Sequence, residues 1–302
     1  MTTRADARAA RVAVVGGVGA VGAMLAELTR ADGDEVTVID RVRPDGDDAA
    51  AVGDVTAPTE PVRAALADAD VVVLAVPEKV AIAAVPVVDR IMRRDALLVE
   101  TLSVKTRIHQ ALREGAAQRA AVGINPMFAP ALGMAGRPVV AVVHHDGPAV
   151  ARFLGAVAGW GGRVVSVGAA EHDRVTASTQ ALTHAAVLAF GLALADIGVD
   201  PDALTATAPP PHTTLLTLLA RVGSGVPEVY HDIQAGNPAA IEARKALASA
   251  LARLSETVER GDERAFAELM SDAVRPLGDR LADYRATCAA LFEELRDRPP
   301  EG

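Results

Sequence analysis

The sequence predicts an α/β domain built on a parallel sheet, followed by an all-α domain. Three observations predict it. The first half alternates short apolar, β-branched runs with helical stretches, the pattern of right-handed βαβ units. A glycine-rich turn, Gly16 to Gly22, joins the first of these runs to the first helical stretch. From Ala169 onward the periodicity is almost wholly helical. The expected boundary lies near residue 168, which gives domains 1–168 and 169–302.

The elements follow in order. Val12–Val15 is a β-branched run and reads as the first strand, and Ala23–Arg30, rich in helix formers, as the first helix. Glu35–Asp40 alternates polar and apolar residues and reads as a second strand. Val71–Val76 and Leu97–Glu100 are continuous apolar runs, as expected of strands covered on both faces, with a helix over Val80–Arg93 between them. Further strands fit Ala121–Gly123, Val139–Val143 and Arg163–Val167. In the second half Pro201, Pro209–Pro211, Pro227 and Pro238 mark helix boundaries. The segment from Ala239 to Arg296 is rich in Ala, Leu, Glu and Arg and reads as helical throughout.

Bulk properties narrow the class. A chain of 302 residues is long enough for two domains with a sizeable core. Its formal charge of −9 argues against a nucleic-acid or anionic-membrane surface. One cysteine, Cys288, cannot form an internal disulfide, so a reducing cytoplasm is expected. Met1–Arg11 has no apolar core of the kind a signal peptide carries. Val175–Ile197 is apolar enough to be mistaken for a membrane span, but Gln180, Thr183, His184 and Asp196 interrupt it. A helix buried between domains or subunits is the expectation. Because the helical half has little sheet to cover, its apolar faces predict a homodimer.

Gly17, Gly19 and Gly22 satisfy G-x-G-x-x-G after a strand and at the opening of a helix, the fingerprint of a Rossmann-type dinucleotide-binding domain. Gly17 is expected to permit the tight turn, Gly19 the approach of pyrophosphate, and Gly22 close helix–sheet packing. Val18, Ala20 and Val21 complete the cradle. Asp40 ends the second strand, where a carboxylate accepts from ribose hydroxyls, which favours NAD over NADP; Arg41 and Arg43 are the residues that complicate this. Ala75-Val76-Pro77-Glu78 either lines the cofactor on the carboxyl edge of the sheet, Val76 and Pro77 foremost, or simply marks a proline-terminated strand. No metal site is expected.

Asn125-Pro126-Met127-Phe128-Ala129-Pro130 reads as a shaped loop at a strand end, where ligands are handled. It resembles the His-Pro-Met-Phe-Gly-Pro motif of prephenate dehydrogenases, with Asn125 in place of the family's catalytic histidine. Ser103-Val104-Lys105 resembles the family's Ser-Val-Lys. Trp160-Gly161-Gly162, Glu171-His172-Asp173, Gln180-Ala181-Leu182-Thr183-His184, Tyr230-His231-Asp232-Ile233 and Asn237 resemble its later segments, over about residues 11 to 270.

The resemblance implies an NAD-dependent oxidative decarboxylation of a cyclohexadiene, a small-molecule substrate. It implies that Ser103 and Asn125 contact the C4 substituent and that Gln180 and His184, one helical turn apart, reach the substrate. Ser103 also approaches the cofactor. Pro238 stands where the family carries a basic residue, so Arg244 and Lys245 are the candidates for the substrate carboxylates, with Arg137 and Arg221 as further ones. Lys105 either orients its loop, approaches the nicotinamide amide, or is a solvated lysine at a helix start. His172-Asp173 reads as the cap of the first helix of the second domain.

Asparagine is not a base. The departure at residue 125 therefore implies the branch acting on 4-amino-4-deoxyprephenate, giving 4-aminophenylpyruvate and carbon dioxide. The alternatives are a prephenate or arogenate dehydrogenase that tolerates Asn125, a non-catalytic NAD-binding sensor, or a relative among β-hydroxyacid dehydrogenases and imine reductases. The family's chorismate mutase and regulatory domains are not expected.

Overall fold

The computed structural model describes residues 8–44, 46–47, 49–115 and 119–296. Residues 1–7, part of the segment read for a leader, lie outside the described residues. The chain forms two compact units. One ends at Thr176 and takes in His231–Pro238; the other comprises Ala177–Tyr230 and the chain from Ala239. The first unit therefore runs past residue 168 and recovers a short stretch from far along the chain.

The first unit holds one eight-stranded sheet in the order β3-β2-β1-β4-β5-β6-β7-β8. The strands are β1 (Arg11–Val15), β2 (Glu35–Asp40), β3 (Ala51–Val52), β4 (Val71–Leu74), β5 (Leu97–Glu100), β6 (Ala121–Pro126), β7 (Pro138–His145) and β8 (Arg163–Ser166). Strands β1 to β6 are parallel, and the order reverses between β1 and β4. Ligands of open α/β sheets bind at such a switch point.

Helices α1 (Ala20–Ala31), α2 (Glu60–Asp68), α3 (Glu78–Ile91), α4 (Thr106–Gly115) and α5 (Pro148–Gly159) supply the crossovers. Successive strand residues serve opposite faces. Ala13, Val15, Val72, Leu74 and Leu98 join α2, α3 and α4 in one apolar layer; Val12, Val14, Val73, Leu97 and Val99 join α1 and α5 in the other. Each fully buried Val or Leu contributes roughly 1.5–3 kcal/mol.

The parallel sheet expected from the βαβ alternation is observed, with one antiparallel pair, β6 and β7, beyond it. Residues 127–137 join them with only a short 3-10 turn, Pro130–Leu132, and no crossover helix, so the chain must reverse. Nor is Asn125–Pro130 wholly loop: Asn125 and Pro126 are the last residues of β6.

The second unit is helical. It contains α7 (Leu182–Ile197), α8 (Pro201–Thr207), α9 (Pro210–Gly223), most of α10 (Pro227–His231), α11 (Ala240–Glu259), α12 (Glu263–Val274) and α13 (Leu281–Arg296). The short α6 (Ala169–Thr176) closes the first unit, and a π-helical turn, Ala177–Ala181, opens the second. Prolines start α8, α9 and α10, where a missing N–H costs nothing. Asp200 caps α8 by accepting from Ala203 N at 3.1 Å, and Asp262 caps α12 by accepting from Ala265 N at 3.0 Å. Gly191 lets α7 lie close on α9: a Cβ there would sit 2.6 Å from Leu219 Cδ1.

The apolar helix expected to be buried between domains or subunits is largely uncovered within the single chain. The continuous helix Ala169–Ile197 has a mean hydropathy of 1.5 over its most apolar stretch, yet only 11% of that stretch is buried. Leu192 and Ile197 are 69% and 70% exposed.

Candidate active site

Parallel pairing from β3 to β6 puts the carboxyl ends of β1, β2, β4, β5 and β6 on one edge. The glycine turn, Asp40, Val76-Pro77, Ser103 and Asn125 all follow or end these strands, so the fold gathers them there.

The left-handed residue of the glycine turn is Gly16, at φ +78°, where a Cβ would lie 2.2 Å from Ala75 O. The turn role expected of Gly17 is therefore corrected to Gly16. Gly17 is tight for another reason, since a Cβ there would meet Val38 Cγ1 at 2.7 Å. At Gly22 a Cβ would press on Gly16 O at 2.2 Å, which is the close helix–turn packing expected there. Gly19 has open space apart from Gly16 O at 3.2 Å. Helix α1 begins with no side-chain cap and no acidic residue in its first turn. Its first N–H groups and the positive end of its dipole are left for an anion. Asp40 Oδ2 accepts from Val18 N at 3.1 Å and ties the turn to the end of β2.

Below Asn125 lies a buried ionic group. Lys105 is fully buried and donates from Nζ to both carboxylate oxygens of Glu100 at 2.8 Å and to Ile124 O at 3.0 Å. The reading of Lys105 as a solvated lysine is thus corrected: it holds the peptide that leads into Asn125. Burial alone would push the Glu100 carboxyl up, but Lys105 and a hydrogen bond with His144 together bring it below the usual carboxylate range. Burial pulls the Lys105 ammonium down against the pull of Glu100. His144 Nε2 lies 2.9 Å from Glu100 Oε1, and its Nδ1 lies 2.9 Å from His109 Nδ1. Gly123 makes room for this crossing, since a Cβ there would fall 1.8 Å from Glu100 Oε1.

Asn125 is 2% exposed, and its Nδ2 lies 3.2 Å from Nε2 of the fully buried His172. His172 Nδ1 lies 2.8 Å from Asp173 Oδ1. Asp173 also accepts from Lys105 N and Thr106 N, both at 2.8 Å. The helix-cap reading of His172-Asp173 is corrected accordingly. Asp173 caps α4 rather than its own helix, and His172 faces residue 125. Burial would raise the Asp173 carboxyl, but these hydrogen bonds outweigh it and hold it low. Asn237 closes the cluster by donating to Asp173 O at 2.8 Å.

Glu78, at the start of α3 after Pro77, closes the segment read as lining the cofactor or ending a strand. It is 4% exposed; Oε2 accepts from Arg107 Nη1 at 2.7 Å and Oε1 is buried without a partner. Burial raises its pKa, Arg107 opposes this, and Asp232 and Asp173 add to the rise.

Ser103 is half-buried in the bend before α4. Gln180 and His184 belong to the second unit, and each has a buried polar atom, Gln180 Oε1 and His184 Nδ1, without a hydrogen-bond partner among the described residues. The His184 ring packs edge-on to Tyr230 at 4.8 Å, and burial lowers its pKa. Arg244 and Lys245 lie exposed on α11, where Lys245 pairs with Glu242 at 2.9 Å. Arg137 reaches back to Ala135 O at 3.2 Å.

Residues 25–137 match the prephenate dehydrogenase nucleotide-binding domain, and residues 168–272 match the prephenate dehydrogenase dimerization domain. The chain is 56% identical over 243 residues to a 4-amino-4-deoxyprephenate dehydrogenase of Streptomyces pristinaespiralis, covering 80% of this chain and 82% of that relative. It is 30% identical over 240 residues to a T-protein of Enterobacter agglomerans, covering 78% of this chain and 63% of the relative. A solved prephenate dehydrogenase from Aquifex aeolicus, in complex with hydroxyphenyl propionate and NAD+, aligns with a TM-score of 0.71 at 20% identity, covering 89% of this chain and 97% of that one. This last likeness is one of fold. The identity to the Streptomyces relative runs through most of both sequences, and the two domain matches fall in the family's order: the chain belongs to the prephenate dehydrogenase family.

Proposed function

We propose that the protein catalyses the NAD-dependent oxidative decarboxylation of 4-amino-4-deoxyprephenate to 4-aminophenylpyruvate and carbon dioxide. The observation that carries this reading is Asn125, a buried amide where the family motif has an imidazole. Its support is the 56% identity to a relative of that name.

NAD fits the observed cradle: an uncapped, acid-free helix start, the open space at Gly19 and the carboxylate of Asp40. When bound, it supplies the acceptor for the C4 hydrogen and its electron pair. The chain's own residues do the rest. Asn125 holds the amine through an N–H, and the nitrogen lone pair drives the departure from C4. The bond from C1 to its carboxylate then breaks, its electrons enter the ring, and carbon dioxide leaves. A neutral amine becomes a neutral aniline, so no proton has to be removed at residue 125. By the family resemblance, Ser103 contacts the C4 substituent and the nicotinamide; Gln180 and His184 are the second unit's own candidates for substrate contact. Arg244 and Lys245 are the candidate carboxylate ligands, and Lys245 also pairs with Glu242.

The protein acts as a homodimer formed through its helical unit, whose exposed Leu192 and Ile197 a second copy would cover. Its compartment is the cytoplasm, which suits the free, exposed thiol of Cys288.

The test is a comparison of kcat/KM for the amino substrate and prephenate, each with NAD. A clear preference for the amine is expected, and a clear preference for prephenate overturns the reading. A second outcome concerns the cradle. Gly19→Val is expected to weaken NAD binding more than about tenfold with an unchanged melting temperature, because its side chain fills space the pyrophosphate needs. Unchanged NAD affinity by calorimetric titration would contradict the site.

A further inference from the structure

We propose that His172 is a positioning residue that fixes which end of the Asn125 amide faces the substrate. The inference rests on the reading that residue 125 contacts the C4 amine. Its argument is one of hydrogen-bond parity. Asp173 accepts from Lys105 N and Thr106 N at 2.8 Å, and such bonds hold its carboxyl below the usual range, so it stays ionised and has no proton to give. The contact of 2.8 Å from His172 Nδ1 to Asp173 Oδ1 therefore places the imidazole proton on Nδ1. A neutral imidazole then has a bare lone pair at Nε2. The Asn125 atom 3.2 Å from that lone pair must be the donor, Nδ2. Asn125 Oδ1 is the atom left over, an acceptor for a substrate N–H. Without His172 the amide has no internal reason to prefer this orientation over its flip, which would present N–H to N–H.

The same parity sets a pH dependence. Protonation at Nε2 would set two donors against each other and turn the amide around. The charged groups facing His172 are Asp173, Lys105 and Glu100. Burial pushes the imidazole below its ordinary value of 6.5 and Lys105 adds to this, against the opposing pull of Asp173 and Glu100. The acid limb of kcat should therefore lie below pH 6.5.

The experiment uses the full chain with NAD and 4-amino-4-deoxyprephenate. His172→Leu is expected to lower kcat by about 10- to 100-fold with little change in KM for NAD. His172→Gln is expected to keep most of the activity, since its amide oxygen can accept from Asn125 Nδ2, and to lose the acid limb. In an Asn125→Ala background, His172→Leu should cost less than about twofold, because the partner it acts through is gone. An equal loss in both backgrounds overturns the proposal, as does a Gln variant as impaired as the Leu one or one that keeps the acid limb. Should Leu prevent folding, seen as loss of the thermal transition, the Gln variant's activity and pH profile decide alone. If the wild type instead prefers prephenate, the substrate reading has failed, and the same cycle read on prephenate still tests the positioning role.

Discussion

Asn125→His is expected to raise kcat/KM on prephenate by about 10²- to 10⁴-fold and to lower it on the amino substrate. With a hydroxyl at C4, loss of hydride leaves a protonated ketone unless a base takes the proton in the same step. An amide cannot do this; a neutral imidazole can. The surroundings of residue 125 favour a correctly oriented replacement. His172 Nε2 offers a lone pair 3.2 Å from the present amide nitrogen, so the introduced ring would turn its N–H inward and its own lone pair toward the substrate. The amine has the opposite requirement. Its lone pair already expels the hydride, and an imidazole that picks up a proton would repel any ammonium form. Steady-state rates on both substrates check this, and a preference left unmoved by the substitution would sink the assignment of Asn125.

Lys105→Met is expected to destabilise the first unit by about 3–5 kcal/mol, because it leaves the Glu100 carboxylate buried without its cation. Lys105 and Glu100 have side-chain exposures of 0% and 1%, so water cannot replace the lost partner. The double variant Lys105→Met, Glu100→Leu should recover much of the loss, since removing both charges removes the desolvation cost as well. It should not recover catalysis, because the hydrogen bond to Ile124 O that steadies the approach to Asn125 is still missing. Urea denaturation of the three proteins measures the first claim. A single-variant loss under about 1 kcal/mol would show that the pair is not held as described.

The features legible in the sequence were local ones. The strands β1, β4 and β5 are legible as contiguous apolar runs because both sheet faces are covered, and β2 as an alternating one. The fingerprint was contiguous too, and so was the Asn125–Pro130 motif. β3 was missed because two residues carry no period. The reversal between β6 and β7 depends on what the connecting loop does not contain, which composition does not reveal.

The buried network was missed for a different reason. His172 meets Asn125 across 47 positions, and Asp173 meets Lys105 across 68. Single-residue expectations then default to common behaviour, a solvated lysine or an aspartate capping its own helix. A Lys and a Glu beside the carboxyl end of an apolar strand were the available hint. A run as apolar as Leu97–Val99 does not end in Glu100 unless a cation waits for it.

The socket formed by Asp173 and His172 also bears on how such an enzyme changes its substrate. Asp173 is tied into the start of α4, so the socket cannot be altered cheaply. It presents only a bare imidazole nitrogen, and that lone pair is indifferent to whether an amide or another imidazole donates to it. Codons for asparagine and histidine differ by one nucleotide. On the roles proposed for Asn125 and His172, a single point mutation crosses between hydroxyl and amine chemistry while the socket stays in place. On that reading the socket makes position 125 an interchangeable part.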